Sequence, residues 1–171
     1  AHVSVNPKNY GFDEEITGWV RSYHYPFGGA YDKKLPAKEG DYYTDKLTDA
    51  ALDFIERNQN QPFFVHLEHF AVHDPIQGRP DLVKKYRKKL AAMPKQKGPD
   101  FILEPNPDGA QLTKEELKAL AENDELQAHQ DARVWWVKQK QDNVEFAGML
   151  EATDESLARI RAKLKELALD E

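Results

Sequence analysis

Three histidines, His66, His69 and His73, stand at i, i+3 and i+7 within the stretch Pro62 to Gln77. Imidazole is the side chain best placed to ligate a metal or exchange a proton near neutral pH. On a helix the three would share a face and could hold zinc, whereas on a strand His66 points away from His69 and the set disperses. The local composition decides between these. Phe63 to Phe70 is dense in aromatic and branched apolar residues, which reads as a strand, and no Cys or well-placed acid completes a metal shell. His73 keeps its interest for another reason. Pro75 forbids a continuing ladder and pushes Asp74 out of the helical region, so the chain turns there. An imidazole is thereby delivered at the carboxyl end of a strand, where open α/β sheets bind their ligands. It could be catalytic there; the plainer alternative is a histidine satisfied by its neighbours. Glu68 is expensive to bury unless paired, and Asp74 reads as an acceptor of backbone N–H groups in the turn.

The elements that must hold this stretch are mainly helices. Residues 44–58 form an amphipathic pattern with Thr44 placed to cap it and Leu47, Ala51, Phe54 and Ile55 along one stripe. The strand Phe63 to Phe70 follows, of the kind buried on both faces in parallel sheets. After Pro80, residues 81–90 predict a helix with Leu82, Val83, Tyr86 and Leu90 inward and Lys84, Lys85, Arg87, Lys88 and Lys89 outward. Thr113 and Glu116 form a capping box for a helix to about Asn123. Residues 124–140 read as helical around Val134, Trp135, Trp136 and Val137; adjacent tryptophans on a helix diverge, so at least one would pack rather than form a sugar platform. Phe146, Leu150, Leu157, Ile160, Leu164 and Leu167 mark the apolar side of a last helix over 142–168. Residues 1–43 show only weak strand signals, at His2 to Val5 and in the alternation of Trp19, Arg21, Tyr23 and Tyr25. Residues 91–109 are rich in Pro, Gly and Lys, without a period beyond Phe101-Ile102-Leu103, and look like part of a surface insertion. The expectation is an α/β fold, helix-rich with one central strand. Buried backbone groups without partners cost about 1–3 kcal/mol each, so most of the sheet is expected to lie outside this chain.

Composition narrows the function classes. A length of 171 residues suits one domain, and no run is long and apolar enough to span a bilayer. A formal charge of −6 gives no general attraction for nucleic acid, and neither a nucleic-acid nor a membrane partner is expected. The basic run at residues 84–89 reads first as a solvated helix face, with binding of sulfated or phosphorylated polymers as the alternative. Without cysteine the chain has no disulfide, thiolate metal site or cysteine nucleophile. Ala1-His2-Val3-Ser4 shows no signal pattern, and the chain is expected to have been entered midway.

Three pieces together resemble the formylglycine-dependent sulfatases of the alkaline-phosphatase-like superfamily. They are Gly11-Phe12-Asp13-Glu14; Pro62-Phe63-Phe64 through Ala71-Val72-His73-Asp74-Pro75-Ile76-Gln77 and Asp81-Leu82-Val83-Lys84-Lys85-Tyr86; and Asn143 to Glu151 with Asp154 and Leu157. The resemblance implies an internal part of a three-layer α/β/α sandwich over residues 1–171, with a surface insertion at 91–140. It also implies sulfuric ester hydrolysis of a sulfated small molecule or glycan, a calcium ion, a formylglycine nucleophile and a secreted or periplasmic location. Of the family's site residues only the substrate-contacting histidine maps, onto His73, which would donate to sulfate or to the leaving oxygen. The Cys/Ser-x-Pro/Ala-x-Arg nucleophile motif, the paired aspartates and the Gly-Lys-Trp-His stretch have no counterpart here. The chain alone is therefore expected to be inactive. Phosphodiesterases and phosphonate hydrolases share this architecture. A reading of another class is a non-enzymatic helical module that binds polyanions through residues 84–97.

Overall fold

A computed structural model describes residues 7–16, 30–32, 35–122 and 131–170. The sequence-predicted strands at His2 to Val5 and Trp19 to Tyr25 lie outside them. In chain order the elements are a 3₁₀ turn (Pro7–Tyr10), β1 (Ala30–Asp32), β2 (Leu35–Pro36), α1 (Tyr43–Asn58), α2 (Pro80–Ala92), β3 (Phe101–Pro105), α3 (Lys114–Glu122), β4 (Val134–Lys138) and α4 (Val144–Glu166). They fall into two compact units, one comprising residues 1–91 and 143–171 and the other Ala92–Asp142.

In the first unit α1 packs along α4. From α1 come Leu47, Ala51 and Ile55, each nearly solvent-free, with Thr44 and Thr48 fully enclosed. From α4 come Gly148, Met149, Ala152 and Ser156. This differs from the predicted stripe, because Leu150 is 50 % and Leu157 56 % exposed. The reason is steric. Gly148, Ala152 and Ser156 recur every four residues, so a row of small side chains lets neighbouring backbones come close. A Cβ on Gly148 would sit 3.3 Å from Val83 Cγ2 and 3.4 Å from Val83 N, so α2 lies directly against the same row. Leu82 joins Tyr42 and Ala152 in one buried cluster. A second cluster of Leu35, Tyr43 and Leu47 is covered by Ile16, Ala50, Leu67 and Phe70.

Helix ends follow local chemistry, with one change. Asn143 caps α4 by accepting from Phe146 N–H at 3.0 Å. Tyr42, rather than Thr44, is the N-cap of α1 and makes no side-chain cap bond; Thr44 is one residue inside the helix and buried. The segment Phe63 to Phe70 pairs in no ladder among the described residues. Its exposure alternates instead: Val65 and Leu67 are half-buried, His66 and Glu68 are exposed, and Phe64 is 72 % exposed. That is the period-two signature of a chain covered on one side, where the composition had predicted cover on both.

The second unit is a hairpin with a helix. β3 and β4 pair antiparallel, with Phe101 opposite Lys138, Leu103 opposite Trp136 and Pro105 opposite Val134. α3 rests on β3, and its capping box forms as expected: Thr113 N–H donates to Glu116 Oε2 at 2.8 Å and Glu116 N–H to Thr113 Oγ1 at 3.2 Å. The helix predicted across 124–140 is corrected in its second half, since Val134–Lys138 is a strand, while residues 124–130 lie outside the described residues. Its run of Val-Trp-Trp-Val suits a pleated surface better than a helix. Trp135 and Trp136 consequently face opposite sides, with Trp136 edge-on to Phe101 and Trp135 exposed.

Candidate functional site

His73 sits in the turn after the extended segment, where its N–H donates to Phe70 C=O at 2.9 Å. The peptides Ala71-Val72 and Asp74-Pro75 are both cis. The ring itself is held twice. It stacks on Phe70 with centroids 4.8 Å apart and planes 28° apart, and Nδ1 lies 2.7 Å from the Asp74 carbonyl oxygen. A carbonyl only accepts, so Nδ1 carries the proton and Nε2 is the atom that would meet a ligand. Phe70 in turn packs on the Leu35, Tyr43 and Leu47 cluster, which ties the imidazole to the α1 core. The way out of the turn is pinned as well. Tyr42 Oη donates to Gln77 C=O at 3.0 Å, and Gly78 N–H donates to Glu145 Oε2 at 2.9 Å. Burial of Tyr42 pushes its hydroxyl up to about 12, so it stays a donor at any ordinary pH. The sequence reading missed Phe70 and Tyr42 as supports. Their only signal was aromatic character, which core residues share.

The other two histidines are elsewhere occupied. His66 Nε2 lies 3.0 Å from Glu68 Oε1, both exposed, so Glu68 is paired at the surface rather than buried. His69 is half-buried with Nε2 2.9 Å from Ser156 Oγ. Ser156 Oγ is 2.7 Å from Thr48 Oγ1, which is 2.7 Å from Thr44 C=O. The direction of this chain follows from proton counting. Thr48 has one hydroxyl proton, and the Thr44 carbonyl can only receive it. Ser156 must then donate to Thr48, and His69 Nε2–H donates to Ser156. His69 Nδ1 is buried without a partner among the described residues. Burial accordingly lowers the His69 pKa, with nearby Asp45 pulling part of the way back.

One cation ties the three helices of this unit. Arg79 reaches Asp81 at 2.8 Å, Asp45 at 3.1 Å and Glu155 at 2.6 Å, on α2, α1 and α4 respectively. Its guanidinium is held well above its ordinary pKa, first by the bond to Asp81. Burial pushes the Asp45 carboxyl up, and Arg79 only partly offsets it. A surface groove of about 570 Å³ runs past this cluster, lined by Lys38, Asp41, Tyr42, Asp45, Lys46 and Arg79 among others. A second, of about 610 Å³, is lined by Ile76, Gln77, Gly78, Pro80, Arg87 and Glu145 among others. His73 lines neither; it is exposed at the turn.

No three of the His, Asp and Glu side chains among the described residues form a group that could hold a metal ion. The described residues of this chain therefore do not fit a calcium cage. Nor does the sequence contain a serine or cysteine in the context that yields formylglycine. No helix among the described residues is long and apolar enough to cross a membrane.

Comparison with known proteins bears on these residues as a set. The sulfatase family model matches residues 2–171. The chain belongs to the sulfatase family. Over 119 residues it is 28 % identical to a protein described as a sulfatase from Formosa agariphila; the match covers 58 % of this chain and 22 % of that protein. The match thus spans about a fifth of that relative's length. Its mixed α/β content, four α-helices with antiparallel strand pairs among the described residues, is consistent with part of a sulfatase domain of the alkaline-phosphatase-like type.

Proposed function

We propose that the whole protein hydrolyses sulfate esters of a small molecule or glycan, and that His73 contacts the sulfate group or the leaving oxygen. The reading rests on one observation above others. Within a chain matched from residue 2 to 171 as sulfatase, the histidine of the Ala71-Val72-His73-Asp74-Pro75 turn is held in a defined tautomer. Nδ1–H is engaged by the Asp74 carbonyl, so Nε2 serves the ligand. In this tautomer the neutral Nε2 only accepts, so the donor is the imidazolium form, whose Nε2–H would point to negative charge building on oxygen; one preorganised donor of this kind contributes about 3–4 kcal/mol to the transition state. Calcium and formylglycine would supply sulfate polarisation and the nucleophile, and both would be held by residues other than those of this chain. On this reading residues 1–171 alone turn over nothing, and the unit at 92–142 is a surface insertion. A secreted or periplasmic location belongs to the same proposal.

The test is sulfate release by the whole protein from an aryl sulfate, compared with phosphate release from matched phosphate esters. Release of sulfate is expected, with His73→Ala lowering turnover about a hundredfold or more. Turnover of phosphodiesters alone would overturn the sulfatase reading; an unchanged rate in His73→Ala would take the imidazole out of the mechanism.

A further inference from the structure

Every residue from 91 to 101 is exposed, and residues 94–99 belong to neither helix nor strand. This stretch carries Lys95 and Lys97 between Pro94 and Pro99, after the end of α2 and before β3. Among the described residues no hydrogen bond or ion pair holds it. A protease draws its substrate out as an extended strand and bonds its backbone, so helices, ladders and closed turns resist it while exposed irregular chain does not. The other lysines and arginines of the described residues are less open. Those of the 3₁₀ turn, the four α-helices and β4 lie in hydrogen-bonded elements. Lys38 sits in a turn closed on Asp41 by bonds of 2.8 and 3.1 Å. Arg79, Arg133 and Lys140 pair with carboxylates.

We propose that Lys95 and Lys97 form a cleavage site for a trypsin-like protease, whose specificity is for a cationic side chain just before the bond it cuts. Water adds across the peptide: the C–N bond of Lys95-Gln96 or Lys97-Gly98 breaks, the lysine carbonyl becomes a carboxylate, and the released nitrogen becomes a new amino terminus. The fold is built to survive that cut. Every described helix and strand stays whole, with β3, α3 and β4 all beyond the break. Only the unit of α1, α2 and α4 is shared between the two pieces, and its seam holds without the covalent link. Met149 and Ala152 of α4 are fully buried, and Ser156 Oγ is 2.7 Å from Thr48 Oγ1. Across the same seam Arg79 pairs with Glu155, Lys85 with Glu151 and Arg159 with Asp49, and Arg87 lies 4.0 Å from Glu145. Exposed ion pairs add little singly; the apolar burial between the helices is what keeps the pieces together. Glu145, beyond the break, still accepts from Gly78 N–H before it, so the exit of the His73 turn stays pinned in the cut protein.

The experiment treats the whole folded protein, and its Lys95→Gln/Lys97→Gln variant, briefly with trypsin. Fragment masses locate the first cut within residues 1–171, and size-exclusion chromatography is run in buffer and in strong denaturant. The first cut is expected after Lys95 or Lys97, with the two pieces eluting together in buffer and apart in denaturant. In the variant the remaining bonds must wait for an opening of the fold, so cutting within residues 1–171 should be at least about tenfold slower. A first cut elsewhere in this stretch, no cut at all, or equal rates in the two proteins overturns the site. Pieces that part in buffer overturn the survival of the fold.

Discussion

His69 is the residue whose chemistry the structure constrains most tightly. Its Nε2–H ends a directed chain through Ser156 and Thr48 to the Thr44 carbonyl, and its buried Nδ1 has no partner among the described residues to take a second proton. The pKa is lowered in the folded state, so the unfolded chain takes up a proton first, near its ordinary value of about 6.5. The stability this group supports is complete above that pH and is lost as pH falls through it toward the folded value. Denaturation midpoints measured at pH 7.5 and 5.5 should therefore drop more in the parent than in His69→Gln; equal drops would show that His69 is not the responsible group. Ser156→Ala strands the imidazole N–H and should cost about 1–3 kcal/mol in a chemical melt. Phe70 makes a different prediction, because its ring stacks on that of His73. Phe70→Leu keeps much of the packing on Leu35, Tyr43 and Leu47 but removes the stacked ring. It should lower kcat of the whole enzyme more than it lowers the melting temperature; loss of stability with kcat intact would make Phe70 structural only.

At the level of elements, the close approach of α1, α2 and α4 depends on small side chains in α4. Ala152 is fully buried beside Tyr42 and Leu82. Ala152→Leu adds volume that the packed helices cannot absorb and should destabilise by about 1–3 kcal/mol. Leu157→Ala, at a more than half-exposed position on the same helix, should change stability by no more than about 0.5 kcal/mol. Thermal melts of the two variants would reverse this order if the predicted leucine stripe were the real seam. Gly78 is a sharper case. A Cβ there would lie 2.7 Å from the Glu145 carbonyl oxygen, a backbone atom that cannot swing away. Gly78→Ala should therefore disturb both the α4 start and the exit from the His73 turn, and should reduce folded yield as well as activity.

At the scale of the whole molecule the chain divides into two compact units. The hairpin of β3 and β4 with α3 owes nothing to the histidine-bearing segment in sequence or in register. Trp136→Ala should loosen the unit at 92–142 while amides in α1 and α4 keep their hydrogen-exchange protection; common loss in both would show one cooperative structure. The segment Phe63 to Phe70 belongs to this scale too. Its apolar content is that of an inner strand, yet Phe64 is left exposed and no ladder forms among the described residues. A strand's second face is covered only by elements that another part of the fold brings to it.

The sequence by itself determined where helices run and where the chain turns. Those are short-range matters: apolar spacing in 44–58 and 81–90, the Thr113–Glu116 box, and Pro75 after Asp74. It also contained the turn motif that aligns with the sulfatases, since a motif is a local string. Strand against helix at Val134–Lys138 could not be read locally, because both states accept a short apolar run and only the pairing with Phe101–Pro105 chooses. Which side of α4 is buried, which lysines of α2 are neutralised, and which tautomer His69 holds were decided by tertiary structure alone. Each depends on a partner more than fifty residues away in the chain, and the spacing of residues along one element carries no record of it.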